Sequence, residues 1–317
     1  MVKSLKVVSD MRFVAGLDGG GTKTAVTIAD DSGAVVHRFE AGALNLNGQD
    51  ESSIREALAG ICAEIARVCS GGLDACAAVC IGAAGISNPA VSGLLTSGMR
   101  ESGFTGELVL VGDHETALFG ALEGQPGAIL IAGTGSIAFG RNAAGETHRA
   151  GGFGHLIDDG GSGYSIGRDL LAAVVRAADG REEPTVITEL VYRQLGISSI
   201  PELIGFVYDK NRNKKEVAAL APLISEACEA GDLTAFRIIR DNADALAVAA
   251  SAVINRLELR SGELALLGSV LTKNRHMRET FVERMGWRQP LLRCIEPKRD
   301  ASYGAVLLAL QKLKTGD

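Results

Sequence analysis

Two short glycine-rich segments are the residues in this sequence best suited to carry out chemistry. One reads GLDGGGTKT at residues 16–24, and the other reads AGTGS at residues 132–136. Backbone N–H groups in such turns can hold phosphate oxygens without side chains in the way. Two such turns facing each other across a cleft would hold a polyphosphate. The pattern therefore predicts nucleotide-dependent phosphoryl transfer.

Two aspartates lie where apolar runs typical of strands come to an end. Asp18 precedes the first glycine turn, and Asp113 follows the run Leu108–Val111. A carboxylate at the carboxyl end of a strand faces the crevice in which α/β proteins bind ligands. Asp18 is an oxygen ligand of the kind Mg²⁺ prefers, and Asp113 could accept a proton from an attacking hydroxyl. The structural alternatives are a turn cap at Asp18 and a helix N-cap at Asp113.

The glycine turns differ from two better-known phosphate-binding motifs. Gly16–Thr24 misses the P-loop pattern by one residue, because Thr22 stands where the lysine should be. A P-loop also opens a helix, whereas residues 25–29 alternate as a strand does and then meet a turn. Residues 133–138 fit a loose dinucleotide pattern, but neither a helix nor an acidic residue at ribose distance follows. An ordinary hairpin turn is the alternative for either segment alone.

The surroundings of the two turns repeat one another. Residues 13–40 and 128–149 each contain three short apolar segments separated by a glycine turn and then a polar turn. Two such β-meanders indicate a duplicated domain. In the first half, helices alternate with further strands, which requires parallel pairing in an α/β fold. We expect one domain at residues 1–116 plus 301–317 and the other at residues 117–300.

The remaining segments are predicted from their periodicity. Helices are predicted at residues 52–69, 92–102, 116–123, 168–178, 185–195, 200–209, 217–230, 233–256 and 301–314. Later strands are predicted at residues 77–84, 108–111, 263–267 and 292–295. Gly151–Gly167 is so dense in glycine that we expect a turn-rich loop there.

Composition and charge exclude several classes of protein. The chain has 317 residues, of which 46% are hydrophobic and 22% charged, enough for two globular domains with their own cores. The net charge is −6, and the densest basic cluster, Lys210–Lys215, is expected to be a solvated turn, so no nucleic-acid partner is expected. No apolar run reaches the length of a membrane span, and the start lacks the apolar core of a secretion signal. We therefore expect a cytoplasmic protein.

The six cysteines are expected to be reduced and mostly buried thiols. They lie at positions 62, 69, 76, 80, 228 and 294, and none follows the C-x-x-C spacing of metal and redox sites. The alternative is a cluster bound by thiolates.

Six motifs that occur in order carry a resemblance to a known family: LDGGGTKT, GDHETALFGA, LIAGTGSIAFG, GGFGHLIDDGGSGYSIG, LLGSVL and ASYGA. Together they resemble the sugar-kinase branch of the actin/hexokinase-type ATPases, in particular the N-acetylglucosamine kinases of the BadF/BadG/BcrA/BcrD ATPase family. The likeness spans residue 13 to about residue 310. It implies an α/β fold of duplicated RNase H-like domains that flank an ATP and sugar cleft, and a homodimer.

The resemblance also implies roles for individual residues. The residues expected to bind ATP are Gly20, Gly21, Thr22 and Lys23 in the first glycine turn, Gly133, Thr134, Gly135 and Ser136 in the second, and Ala218, Gly268 and Ser269 around the adenosine. Asp18 would hold Mg²⁺ through water, and Asp113 would be the catalytic base. The residues expected to contact the sugar are Asn45, Gly152, Phe153 and Asp159.

The implied activity is transfer of the γ-phosphate of ATP to the 6-hydroxyl of N-acetylglucosamine. Asn47 is a second candidate beside Asn45 for the sugar contact, and Asp159 is chosen over its neighbour Asp158 by motif position. Phe153 stands where the animal enzymes of the resembled group have tryptophan, so glucosamine is the alternative substrate. An ATPase that activates a radical dehydratase is a further alternative, and it would require cysteines at a shared subunit interface.

Overall fold

The computed structural model of the chain describes residues 12–45 and 49–315. They divide into two compact units: the first contains the described residues up to Gln125 and those from Pro297 onward, and the second is Pro126–Glu296. In chain order the first unit contains β1 (Phe13–Gly19), β2 (Thr24–Asp30), β3 (Val35–Ala41), α1 (Glu51–Val68), a 3₁₀ turn (Leu73–Ala75), β4 (Cys76–Ala83), α2 (Pro89–Glu101), β5 (Glu107–Val111), α3 (Asp113–Leu122) and, from the end of the chain, α12 (Ala301–Thr315).

The second unit is richer in helix. In chain order it contains β6 (Gly127–Ala132), β7 (Ser136–Arg141), β8 (Thr147–Gly151), α4 (Gly163–Ala178), α5 (Ile187–Leu195), α6 (Ile200–Tyr208), α7 (Lys214–Ala218), α8 (Leu223–Glu229), α9 (Leu233–Arg256), β9 (Glu263–Leu267), α10 (Ser269–Thr272), α11 (Arg275–Arg288) and β10 (Arg293–Ile295).

The two units have the same sheet topology. The first sheet has the order β3-β2-β1-β4-β5, and the second has the order β8-β7-β6-β9-β10. In each sheet the meander strands pair antiparallel, and the strands on the other side of the central strand pair parallel. The predicted duplication and the α/β class are therefore confirmed. In both units the glycine turn joins the central strand of the sheet to its antiparallel neighbour.

Alternation along β1 determines which face of the first sheet each residue occupies. Phe13, Ala15 and Leu17 pack into a core with α1 and α2, whereas Val14 packs into a separate core with α12. Gly16 lies on the α12 side, because a Cβ there would stand only 2.2 Å from the carbonyl oxygen of Ser302. Since side chains alternate along a strand, Asp18 emerges on the same side as Val14 and Gly16.

The helices α3 and α12 approach each other closely at glycines. A Cβ at Gly304 would lie 1.9 Å from the carbonyl oxygen of Thr116, and a Cβ at Gly120 would lie 2.1 Å from that of Asp300. Only glycine permits such a backbone approach. This contact explains why α3 belongs entirely to the first unit, whereas the sequence-based boundary after residue 116 would divide the helix.

Three sequence-based assignments in the second unit were wrong. Residues 163–167 of the predicted glycine loop form the first turn of α4, because Ser162 caps the helix by accepting the Ser165 N–H at 3.0 Å. The helix predicted at residues 217–230 is broken into α7 and α8 at Pro222, which has no N–H to donate. Helix α11 was missed, since its buried residues (Met277, Phe281 and Met285) occur only every fourth position in a charged segment.

All six cysteines are free thiols, of which five are buried and Cys294 is partly buried. Burial raises the pKa of Cys76 and of Cys80 to about 12, so these thiols stay protonated at neutral pH. The expectation that the thiols are mostly buried is confirmed. Among the described residues, no helix combines the length and apolar character needed to cross a bilayer.

Candidate functional site

The first unit contains a group of carboxylates at the end of its sheet. Asp18 is the penultimate residue of β1, and Asp113 is the first residue of α3, directly after β5 and Gly112. Burial, the largest cause, and the nearby carboxylates of Asp113 and Asp300 together raise the pKa of Asp18 to about 6. The structure thus brings the two predicted aspartates into one electrostatic environment.

The pKa of Asp113 is shifted in the opposite direction from that of Asp18. Its Oδ1 accepts the backbone N–H of His114 at 2.9 Å, and the imidazole Nδ1 of His114 lies 3.5 Å from the same oxygen. Hydrogen bonding to the His114 side chain, the largest cause, holds the pKa of Asp113 below its ordinary value. The side chain is 52% exposed. Asp113 is therefore an ionised and accessible proton acceptor, and the N-cap position is taken by Gly112.

Two residues of this group were not expected to take part. His114 was not among the predicted site residues, yet its ring contacts the Asp113 carboxylate. Asp300 accepts the N–H of Tyr303 and the hydroxyl of Ser302, both at 2.9 Å, and pairs with Arg38. An aspartate that accepts a hydrogen bond from the backbone N–H three residues later has the pattern of a helix N-cap. This pattern was the signal in the sequence that could have singled out Asp300.

The first glycine turn is closed by its own backbone. The Gly20 N–H donates to the carbonyl oxygens of Lys23 and Asp18, both at 3.1 Å. The Lys23 ammonium forms an ion pair with Glu40, so its charge is already partnered. A Cβ at Gly21 would lie 3.9 Å from the Asn45 Nδ2, which places Asn45 beside the turn. Asn47 lies outside the described residues.

The second glycine turn is held from two sides. The carbonyl oxygens of Gly133 and Thr134 accept the N–H groups of Gly163 and Tyr164, at 2.7 Å and 3.2 Å. These bonds attach the turn to the first residues of α4. The turn is thereby fixed in the structure before any ligand binds.

Asp159 fixes the other side of this turn. Its Oδ1 accepts the backbone N–H of Ser136 at 2.6 Å, and the side chain is only 8% exposed. Its Oδ2 is buried and has no hydrogen-bond partner among the described residues. A buried acceptor without a donor costs about 1–3 kcal/mol. Asp159 therefore anchors the turn through Oδ1 and keeps Oδ2 as a further hydrogen-bond acceptor. Its neighbour Asp158 is exposed.

A cavity of about 380 Å³ lies next to the second glycine turn. Its lining brings together four of the residues expected to bind ATP: Gly133, Thr134, Ala218 and Ser269. The rest of the lining is mostly apolar and includes Ile166, Ala219, Ala221, Pro222 and Val270, together with Ser225, Asn274 and two lysines. An apolar pocket with a few polar groups at one side is typical of a nucleotide site.

Gly268 has a steric reason to be glycine. Its φ is +85°, and a Cβ there would stand 2.2 Å from the carbonyl oxygen of Ala132. The residue thus lets the chain after β9 lie directly against the end of β6. This contact brings Ser269 to the second glycine turn.

The residues expected to contact the sugar in the second unit lie in the loop after β8. Phe153 is 55% exposed, and the guanidinium of Arg149 lies 4.4 Å from the centre of its ring. Gly152 has a φ of +75° and packs on Ile137. His155, in the same loop, packs edge-on against Tyr164, with the two ring centres 4.7 Å apart.

Comparison with known proteins identifies the family. The model of the BadF/BadG/BcrA/BcrD ATPase family matches residues 15–309. The chain is 32% identical over 94% of its length to an N-acetylmuramic acid/N-acetylglucosamine kinase of Clostridium acetobutylicum, of which 98% is covered. It is 30% identical to an N-acetyl-D-glucosamine kinase of Dictyostelium discoideum, with 94% and 98% covered.

A solved structure is similar over the same extent. It is a proposed N-acetylglucosamine kinase of Chromobacterium violaceum, with a TM-score of 0.78, 28% identity, and coverage of 95% of this chain and 100% of that chain. The family model extends over nearly the whole chain, and its range contains both glycine turns and, apart from the first two residues of β1, both sheets. The chain is a member of the BadF/BadG/BcrA/BcrD ATPase family.

Proposed function

We propose that this protein is an ATP-dependent kinase that transfers the γ-phosphate to the 6-hydroxyl of an amino sugar, with N-acetylglucosamine as the first candidate. The observation that carries the proposal is the cavity of the second unit, in which Gly133, Thr134, Ala218 and Ser269 lie together. The names of the two curated relatives support an N-acetylated amino sugar as the acceptor.

Asp113 acts as the general base in this proposal. As the 6-oxygen of the sugar forms its bond to the γ-phosphorus, the bond to the β-phosphate oxygen breaks and ADP leaves. The hydroxyl proton passes to the Asp113 carboxylate, which the His114 contact keeps ionised. A positioned base of this kind contributes about 10²–10⁴-fold to the rate.

Asp18 is the residue that would hold Mg²⁺. When bound, the ion neutralises charge on the phosphates. The Asp18 side chain suits a cation because burial and two further carboxylates raise its pKa. A positive charge beside it would favour the ionised form. Among the described residues, no three His, Cys, Asp or Glu side chains are grouped to bind a metal without other ligands. Mg²⁺ is often bound in this way, with one or two carboxylates, waters and substrate phosphates.

The sugar is bound in this proposal by Asp159, Phe153, Gly152 and Asn45. The Oδ2 of Asp159 accepts a sugar hydroxyl, which gives that buried atom its missing donor. The exposed ring of Phe153 covers an apolar face of the sugar. The Arg149 guanidinium on that ring disfavours a nearby ammonium, which argues for an acetylated amine over glucosamine.

The test is a kinase assay with Mg-ATP and separate sugars. The panel contains N-acetylglucosamine, N-acetylmuramic acid, glucosamine, N-acetylmannosamine, glucose and a control without sugar, and ADP release is followed. We expect ADP release that depends on an N-acetylated sugar and falls by about 10²–10⁴-fold in Asp113→Asn. The exposed Asp31→Asn is the matched control and should keep full activity. Equal ADP release with and without every sugar would contradict the proposal.

A further inference from the structure

We propose that Lys215 and Lys273 bind the phosphate chain of the nucleotide in the cavity of the second unit, so that this site selects nucleoside diphosphates and triphosphates over nucleosides. The inference rests on the proposed function for the identity of the occupant. It assigns a ligand to two residues that the sequence motifs left without a role.

The charge of the cavity lining is the first observation. Lys215 and Lys273 line the cavity, and the other lining residues are neutral. No carboxylate therefore lines it. A concave site with two cations and no anion attracts an anionic ligand.

The absence of partners for these lysines is the second observation. Among the described residues, neither ammonium group forms a hydrogen bond or an ion pair. By contrast, Lys23 of the first glycine turn is paired with Glu40. The carboxylate of Glu216 interacts with Lys215 through charge but does not line the cavity. Two cations that share a cavity lining without a carboxylate repel each other, and a phosphate chain would remove this repulsion.

The positions of the lysines are the third observation. Lys215 lies in α7 one turn before Ala218, and Lys273 directly follows α10, which begins at Ser269. Each lysine is therefore next to a residue expected to line the adenosine site. The second glycine turn lines the same cavity through Gly133 and Thr134, and neither residue carries a charge. The lysines supply the charge that this turn lacks.

Lys215 belongs to the basic segment Lys210–Lys215, which the sequence analysis assigned to a solvated turn. Residues 210–213 do form a turn before the helix, but Lys214 and Lys215 open α7, and Lys215, although exposed, also lines the cavity. Lys214 is exposed, has the same charge and does not line the cavity. It is therefore a matched control for Lys215.

The experiment measures binding by calorimetry without sugar, using ADP, AMP and adenosine as separate probes. The variants are Lys215→Met, Lys273→Met, the double variant and the control Lys214→Met, each checked for folding by circular dichroism. We expect each cavity variant to weaken ADP binding by about tenfold or more and adenosine binding by less than about twofold. The salt dependence of ADP binding should also decrease, and Lys215→Arg should restore affinity.

Two results would overturn the inference. Equal weakening of adenosine and ADP binding would mean that the lysine stems pack on the base instead. Unchanged ADP binding in the double variant would mean that the lysines do not contact the nucleotide. The proposed function fails separately: wild-type protein that binds ADP through these lysines but phosphorylates no sugar would contradict the kinase and leave this inference intact.

Discussion

At the scale of single residues, the two aspartates of the first unit have opposite electrostatic character. Asp18 is desolvated and lies near other carboxylates, which raises its pKa to about 6. Asp113 is hydrogen-bonded to His114, which lowers its pKa. Environments that separate the pKa values of two acids in one site commonly mark different chemical roles. The contrast agrees with a cation ligand at Asp18 and a proton acceptor at Asp113.

The raised pKa of Asp18 has a consequence for stability. Its folded pKa of about 6 exceeds the ordinary value of 3.8, so the folded state holds the proton more tightly. Between about pH 4 and pH 6 the folded state binds more protons than the unfolded state, so stability falls as the pH rises. Above pH 6 the full destabilisation is present, and below pH 4 it is absent.

We therefore expect Asp18→Asn to stabilise the protein in metal-free buffer. At pH 7.5 its free energy of unfolding should exceed that of wild type by about 1–3 kcal/mol, and the difference should vanish near pH 4. Urea unfolding at both pH values in the presence of EDTA measures this. A difference that is the same at both pH values would contradict the titration of Asp18, and the variant should have lost kinase activity.

Asp159 allows its two oxygens to be tested separately. In Asp159→Asn, the amide oxygen can still accept the Ser136 N–H, but the amide nitrogen cannot accept a sugar hydroxyl. We expect the KM for the sugar to rise by about tenfold or more while the KM for ATP stays within about twofold. Asp159→Ala should raise both KM values, because it also releases the second glycine turn.

The neighbouring Asp158 is the control for this prediction. It is exposed, so Asp158→Asn should change neither KM. Steady-state kinetics with each substrate varied in turn separates the outcomes. An Asp159→Asn variant with an unchanged KM for the sugar would remove Asp159 from the sugar site.

At the scale of elements, glycines fix the distance between α3 and α12. Gly304 lets its backbone approach the Thr116 carbonyl, and Gly120 lets α3 approach Asp300. Asp113 begins α3 and Asp300 immediately precedes α12, so the helix contact sets the spacing of both carboxylates. The spacing between Asp113 and Asp300 therefore depends on the contact between α3 and α12.

We expect Gly304→Ala to destabilise the first unit and to lower activity. Its Cβ would stand 1.9 Å from a carbonyl oxygen, so the helices must separate, at a cost of about 1–3 kcal/mol or more. The matched control is Gly93→Ala in α2, where a Cβ meets nothing within 4 Å. There alanine should stabilise the protein by about 0.4–1 kcal/mol. Chemical denaturation of both variants tests the pair, and a Gly304→Ala protein as stable as wild type would contradict the argument.

The helices and strands were predicted with unequal success for physical reasons. The 24-residue α9 was predicted at its observed bounds, because its apolar residues repeat over many turns. The break at Pro222 and the start of α4 inside the glycine run were missed. Both depend on single residues, a proline without a donor and a serine cap, rather than on periodicity.

At the scale of the whole molecule, the duplicated topology separates the roles of the two units. The cavity is lined only by residues of the second unit, and the predicted base belongs to the first. We therefore expect ADP to slow hydrogen exchange at residues 133–136, 214–225 and 268–274, and to leave α1 and α2 unchanged. Hydrogen-exchange mass spectrometry on the full chain, with and without ADP, tests this. Binding of ADP by calorimetry without protection of these segments would contradict the assignment of the cavity.

The sequence by itself determined the local features of this protein. The glycine turns, the alternation along β1 and the repeated meander follow from the stereochemistry and periodicity of neighbouring residues. Only the tertiary structure decided which polar groups share an environment. The burial of Asp18 near Asp300, the unsatisfied oxygen of Asp159 and the place of Lys215 in the cavity each depend on contacts between distant segments. A local pattern does not specify these contacts, because desolvation and charge pairing depend on residues that meet only after folding.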